Sequence, residues 1–219
     1  MSSSFTFADA PSLDDLQVFL SRAARVEEGS VRLIAGSGVL AVYAAIFYPV
    51  GLLDESPTIL GLRTVALNGP DTFDVVVPLR SLLQRIERAQ AEETTTVGMP
   101  MEVNTATWAA ISPPRGGWQA VGEVSAAVLD ESARAGIQDV AAAVPDGAGE
   151  AIVRKVRAEV WNKPIPGADH VVAAAAFAAF ALGFLGEDQV RLYESGPWAR
   201  LSTSRGHVLV KRKAWNLLR

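Results

Sequence analysis

Apolar residues in the first part of the chain follow two different spacings. From Ser12 to Val26 they recur every three or four positions, which predicts an amphipathic helix with Ser12 as its N-cap. Runs rich in valine, isoleucine and leucine then predict four strands, and helical spacing returns after them. The strands cover 31–35, 39–47, 58–67 and 73–77, and the second helix covers 79–90. An antiparallel sheet flanked by helices accounts for this order.

The turn between the first two predicted strands allows a second interpretation. Gly36, Gly38 and Ala41 satisfy the spacing G-x-G-x-x-A of a dinucleotide-binding loop, which requires a helix after the loop. A nucleotide-dependent enzyme using Gly36–Ala41 is therefore one hypothesis. We favour a β-hairpin, because Pro49 would shorten that helix and residues 39–47 are rich in strand-forming side chains.

The second half predicts helices followed by strands. Residues 170–186 are almost entirely apolar and rich in alanine, which predicts a buried helix with Asp169 as its N-cap. Three helices are predicted before this Ala-rich helix, and Gly136 is predicted to end the first of them. These helices cover 126–135, 137–144 and 150–161, and the strands that follow cover 189–194, 198–203 and 207–212.

These elements predict an α+β protein with two regions. Residues 1–95 form the antiparallel-sheet region, with helices flanking the sheet. Residues 96–219 form a mainly helical region that contains the Ala-rich buried helix and a terminal β-hairpin. The two regions are predicted either as separate domains or as one continuous domain. A polar linker is expected over 91–97 and a further strand over 99–103.

Composition narrows the class of protein. Hydrophobic residues make up 49% of the chain and charged residues 20%, which is typical of a globular protein. The absence of cysteine excludes disulfides, Cys-type zinc sites and thiolate catalysis. The two histidines lack metal-ligand spacing, so we expect no metal and no cofactor. No secretory signal and no membrane span are recognisable, so a cytoplasmic location is expected.

The charges are divided unevenly along the chain, although the net charge is only −4. Residues 1–149 contain 9 basic and 18 acidic residues, whereas residues 150–219 contain 11 basic and 6 acidic residues. An acidic half joined to a basic half indicates that the halves face each other or that the basic end binds an acidic partner.

Two polar segments of the second half are candidates for an anion-binding site. The loop over 112–118 displays an arginine and a tryptophan between prolines and glycines, which suits the binding of an anion or a flat ring. The terminal hairpin brings guanidinium groups, hydroxyls and a histidine close together. The predicted site residues are Arg115, Trp118, Arg200, Ser204, Arg205 and His207. We predict no catalytic residue, because Asp169 and His170 lack a serine-nucleophile motif.

The predicted helices over 137–161 also resemble a DNA-binding helix pair. Ile137, Val140, Ala141 and Val144 would form its inner face. Arg154, Lys155 and Arg157 on its second helix could contact phosphates. A DNA-associated regulator is therefore an alternative hypothesis. Asp146 and Glu150 oppose it, since they place negative charge at the helix end that would enter the groove.

Several segments resemble a known group of sequences. TILGLRT, VVVPLRSLLQRI, SPPRGGW and RLSTSRGHVLVKR are similar to segments of an uncharacterised family of hypothetical proteins from high-GC Actinobacteria. This resemblance covers most of the chain and implies no activity. The order helix, four strands, helix over 12–90 also resembles the repeating unit of sliding clamps, but no residue motif accompanies it and no function is transferred.

The sequence therefore predicts a non-enzymatic protein that binds a protein partner or a small anionic ligand. Self-association into a homo-oligomer is a further expectation, because an exposed face on the Ala-rich helix would need a partner. Binding to a nucleic acid is the less favoured alternative, since the whole chain is acidic.

Overall fold

A computed structural model describes residues 4–49, 51, 54, 56–104, 106–145 and 147–212. The chain forms two compact units. The first consists of Met1–Ile46 and Gly61–Ser112, and the second consists of Phe47–Leu60 and Pro113–Arg219. Among the described residues, no helix has the length and hydropathy needed to cross a membrane.

The first unit is a sheet with two helices, as predicted. Its strand order is β5-β2-β3-β4, and a separate two-stranded ladder joins β1 and β6. The predicted linker over 91–97 contains the start of β6, and the predicted strand over 99–103 is irregular. The elements are β1 (Ser4–Thr6), α1 (Ala10–Ala24), β2 (Ser30–Gly36), β3 (Val39–Phe47), β4 (Thr58–Ala66), β5 (Phe73–Pro78), α2 (Leu79–Ala91) and β6 (Thr96–Gly98).

Helix α1 begins earlier than the sequence predicted. Asp9 is the N-cap, since its carboxylate accepts a hydrogen bond from the backbone N–H of Ser12 at 2.8 Å. Further along the same helix, the carboxylate of Asp15 accepts a hydrogen bond from Nε of Arg63 at 2.5 Å. The predicted apolar face is confirmed, and its buried residues are Leu13, Leu16, Phe19, Leu20 and Ala23.

Strands β2 and β3 form the predicted hairpin. They pair antiparallel up to Gly36 and Val39, and Ser37 and Gly38 form the turn between them with φ angles of 52° and 75°. A turn with both central residues in the left-handed region matches the twist of a hairpin. No helix follows the glycines, because residues 39–47 are strand. The nucleotide-binding interpretation of Gly36–Ala41 is therefore wrong, since it needs a helix N-terminus at the phosphates.

The second unit combines three helices with a four-stranded sheet. Its strand order is β12-β11-β10-β7, and all neighbouring strands are antiparallel. The terminal hairpin is confirmed, but a mainly helical second half is not. The elements are β7 (Gln119–Ser125), α3 (Ala126–Ala143), α4 (Glu150–Trp161), β8 (Pro164–Ile165), β9 (Ala168–Val172), α5 (Ala173–Ala181), β10 (Gln189–Ser195), β11 (Trp198–Thr203) and β12 (Gly206–Lys211).

The Ala-rich helix α5 is buried, as predicted, but it is shorter than expected. The backbone of Asp169 and His170 lies in β9, so the helix begins at Ala173 and has no side-chain cap. Its small side chains allow α3 to pack closely against it. The buried residues of the helix are Ala173, Ala174, Ala175, Ala176, Ala178 and Ala179.

Gly136 does not end a helix, contrary to the prediction. Helix α3 continues through it to Ala143, and the ring of Trp161 fills the space beside it. A Cβ atom at Gly136 would lie 2.3 Å from Cζ3 of Trp161, which is far closer than van der Waals contact. Trp161 also contacts Phe177, with ring centroids 4.7 Å apart. The glycine is therefore needed for packing, because it lets an indole ring approach the helix backbone.

This contact predicts the effect of Gly136→Ala on stability. In an exposed helix the substitution would stabilise by about 0.5–1 kcal/mol. Here we expect a destabilisation of about 1–3 kcal/mol, because the new methyl group overlaps the Trp161 ring. Urea denaturation measures the difference. Gly36→Ala is the matched control, since a Cβ there meets nothing within 4 Å. A stabilised Gly136→Ala protein would contradict the packing described here.

Candidate anion-binding site

Arg200 lies between two aromatic rings on one face of the second unit's sheet. Its Cζ atom is 4.5 Å from the ring centroid of Tyr193 and 4.6 Å from that of Trp118. Tyr193 is directly opposite Arg200 in the pairing of β10 with β11. Tyr193 is also opposite Ala120 of β7, two residues after Trp118. We call Trp118, Tyr193 and Arg200 the Arg200 cluster.

The alternation of the strands explains why this cluster forms on one face. Leu192 immediately precedes Tyr193 on β10, and Leu201 immediately follows Arg200 on β11. Both leucines are buried. Because successive side chains of a strand point to opposite faces, Arg200 lies on the face opposite the leucines.

Arg200 is half-buried but has no counter-ion among the described residues. Its Nε atom is buried and lacks a hydrogen-bond partner. Burial lowers the pKa of the Arg200 guanidinium from its ordinary value. The aromatic faces compensate part of this desolvation, since they attract cations. An anion would complete the compensation, because guanidinium groups bind carboxylates and phosphates through directed hydrogen bonds.

A serine and a histidine lie beside the Arg200 cluster. Ser202 is two positions from Arg200 on β11, and its hydroxyl is 3.0 Å from Nδ1 of His207 on β12. Arg191 of β10 pairs in register with Ser202. These residues share the face of Arg200, because residues two apart on a strand and residues directly opposite each other point the same way. The same face also carries the buried Leu209, which is directly opposite Arg200, and Glu123, which is directly opposite Arg191.

The loop before β7 holds Trp118 in place. Its indole Nε1 donates a hydrogen bond to the carbonyl oxygen of Pro114 at 3.2 Å. Gly117 has a φ angle of 74°, which favours glycine and turns the chain into the strand. Arg115 is exposed in this loop. The predicted loop thus contributes Trp118 to the cluster and leaves Arg115 at the surface.

The turn of the terminal hairpin contributes less than predicted. Arg205 donates from Nη1 to the carbonyl oxygen of Leu185 at 3.0 Å and lies against Gly186. Ser204 is exposed in the same turn. Of the predicted anion-site residues, the structure brings together Trp118 and Arg200 and places His207 on the same face. Ser204 and Arg205 lie in the turn beyond that face.

The cations of the alternative DNA-binding segment contact neighbours on their own unit. Arg154 pairs with Glu150 at 2.5 Å, and Lys155 lies 3.9 Å from Glu159. Arg157 stacks over the ring of Phe47, with its Cζ 5.3 Å from the centroid. The predicted inner face is wrong, because Ile137 is 39% exposed and Ala141 is also exposed.

The sequence reasoning missed Tyr193. The alternating stretch from Gln189 predicted the strand, but only the pairing register shows that Tyr193 is opposite Arg200. Among the described residues, no group of histidine, aspartate and glutamate side chains is suited to hold a metal ion.

Family models match both halves of the chain. Residues 1–107 match Domain of unknown function (DUF8010), and residues 113–215 match Domain of unknown function (DUF8185). The sequence matches no curated protein.

Solved structures of bacterial clamps are similar over nearly the whole chain. Caulobacter crescentus pol III beta is 12% identical with a TM-score of 0.54, covering 98% of this chain and 66% of that chain. DNA polymerase III subunit beta from Borrelia burgdorferi is 8% identical with a TM-score of 0.55, covering 95% and 64%. The sliding clamp from Bartonella birtlesii is 12% identical with a TM-score of 0.54, covering 98% and 66%.

The fold is similar to that of a DNA polymerase sliding clamp. The chain spans about two thirds of the length of these clamps. At such low identities the likeness establishes the fold and not the function. The resemblance in element order over 12–90 is thus confirmed as a likeness of fold.

The unpaired guanidinium of Arg200 leads to a prediction about stability. If Arg200 is held for binding, Arg200→Met should leave the free energy of unfolding within about 1 kcal/mol of the wild type or raise it. The reason is that methionine fills the space between the rings without a buried charge. Urea denaturation of both proteins measures the difference. A loss of about 2 kcal/mol or more would make Arg200 a structural residue.

Proposed function

We propose that this chain is a non-enzymatic binding protein with a clamp-like fold. Its second unit binds an acidic segment of a partner protein at the Arg200 cluster. The observation that carries the proposal is the half-buried guanidinium with an unpartnered Nε between two aromatic rings. A carboxylate is the group that would supply the missing charge and hydrogen bonds.

The composition of the cluster favours a carboxylate over a phosphate. One guanidinium and two aromatic faces offer a single positive charge beside apolar surface. A phosphate carries more charge and is usually bound by several donors, often at a helix N-terminus. A carboxylate on a peptide suits this site better, because the rings can also contact the apolar atoms of its side chain.

The similar solved structures support a binding role. Their names describe a DNA polymerase sliding clamp and a subunit of DNA polymerase III. For this chain a comparable binding role is part of the proposal.

An acidic peptide tests the proposal. The probe is a fluorescein-labelled octapeptide that alternates valine and glutamate, and fluorescence anisotropy measures its binding. We expect Arg200→Gln to weaken binding about 10- to 100-fold, because a hydrogen bond to a charged group contributes about 1.5–3 kcal/mol.

Two controls accompany this measurement. Arg85→Gln removes an exposed arginine on α2 and should leave the affinity unchanged. The same peptide with glutamine in place of glutamate should bind poorly to the wild type. Equal affinity of the wild type and Arg200→Gln for the acidic peptide would refute the proposed site.

Association with DNA is a second candidate function, favoured by the similarity to DNA polymerase clamps. It predicts that random duplex DNA binds more weakly as salt rises. Replacing Arg154, Lys155 and Arg157 together by glutamine should then reduce the salt slope by about 0.9 for each phosphate that the protein no longer neutralises. Anisotropy of labelled duplex DNA measures both effects. No binding at low salt would exclude this candidate.

A further inference from the structure

Arg191 of β10 is a second cation beside the Arg200 cluster. Its side chain is exposed, and its neighbours in register are Glu123 of β7 and Ser202 of β11. Although Glu123 lies directly opposite, the side chain of Arg191 takes part in none of the described ion pairs or hydrogen bonds. Its guanidinium group is therefore available to a ligand.

Arg200 extends over the same strand, although it belongs to β11. Its Cζ atom is 4.5 Å from the ring centroid of Tyr193, which is two residues after Arg191 on β10. Two residues of a strand span about 6.8 Å, and their side chains point to the same face. Along the direction of β10, the two guanidinium groups are therefore separated by about 7 Å.

This separation matches the repeat of an extended peptide. Alternate side chains of an extended chain point the same way and recur about every 6.8 Å. Two carboxylates separated by one residue can therefore each reach one of the two guanidinium groups. Carboxylates on adjacent residues cannot do so, because they point to opposite sides of the backbone.

Neutral side chains border the two cations along β10. Gln189 is two residues before Arg191, and Ser195 is two residues after Tyr193. All four residues share one face of the sheet, because they alternate along the strand. A nucleic acid carries a phosphate at every nucleotide, so a row of only two cations suits a short acidic peptide segment better.

We propose that the partner segment carries two acidic residues separated by one residue and lies extended along β10. One carboxylate binds Arg200 over the ring of Tyr193, and the other binds Arg191. This inference rests on the proposed function, since it assigns a second contact to the same site. It makes Arg191 the residue that selects the spacing of the two charges.

Two peptides of identical composition test this spacing. Both are capped, fluorescein-labelled octapeptides of four valines, two glutamines and two glutamates. One valine separates the glutamates in the first, and they are adjacent in the second. In fluorescence anisotropy the wild type should bind the first peptide about 2- to 5-fold more tightly, which is the range of an exposed ion pair.

Arg191→Gln should bind the two peptides equally, because it keeps only the contact at Arg200. Arg85→Gln, which removes an exposed arginine on α2, should keep the preference of the wild type. Each comparison is made within one variant, so a change in stability cannot mimic the expected result.

Two results would overturn this inference: equal affinity of the wild type for both peptides, or a preference that persists in Arg191→Gln. The proposed function is judged separately, because it requires that Arg200→Gln weaken both peptides. A labelled oligothymidylate of eight nucleotides completes the comparison. If it binds more tightly than the first peptide and loses affinity in both arginine variants, the site recognises a nucleic acid and the inference is wrong.

Discussion

The second unit depends on the alternation of side chains between the two faces of its sheet. Leu192 of β10 and Leu201 of β11 are buried, whereas their neighbours Tyr193 and Arg200 are only partly buried. Helix α5 contacts β12 and packs against α3, and its alanines allow a close approach. Because Leu192 and Leu201 point to one face, Tyr193 and Arg200 must point to the other. The position of Arg200 is therefore a consequence of the same pattern that builds the core.

The environment of Arg200 leaves part of its guanidinium without a hydrogen-bond partner. A buried charge without a partner costs free energy, and aromatic faces recover only part of it. Arg32 of the first unit shows the contrast. It donates to Asp74 at 2.7 Å and to the carbonyl oxygen of Ala109 at 2.8 Å, and the hydrogen bond to Asp74 raises its pKa. The guanidinium of Arg32 is thus held by several hydrogen bonds, whereas the Nε atom of Arg200 has no hydrogen-bond partner.

Local patterns were enough to predict much of the fold. The hairpin at Ser37 and Gly38, the apolar face of α1 and the terminal hairpin depend on neighbours in sequence, so periodicity and turn residues reveal them. Gly136 was misread because its partner, Trp161, is distant in sequence. A glycine that ends a helix and one that accepts a ring look the same in a sequence. Strand β7 was missed because its exposed residues lack an apolar alternation.

Only part of the candidate site could be predicted, because its contacts join residues that are distant in sequence. Arginine and tryptophan in a stiff loop marked Trp118, and a basic hairpin marked Arg200, but their contact depends on the register of three strands. Tyr193 could not be assigned without that register. Arg205 looked equivalent to Arg200 in the sequence, yet its contact with Leu185 depends on how α5 and the following turn pack on the hairpin.

The structure also shows which basic residues of the second half are paired with carboxylates. On the helices, Arg134, Arg154 and Lys155 each have a carboxylate about one turn away on the same helix. Such pairs cancel the local potential while adding little stability. The sheet is different, because Arg191 and Arg200 share one face and none of the described ion pairs includes either of them. On α4, by contrast, two of the three cations are paired with carboxylates. For the acidic partner proposed above, the face of the sheet is therefore the stronger electrostatic target.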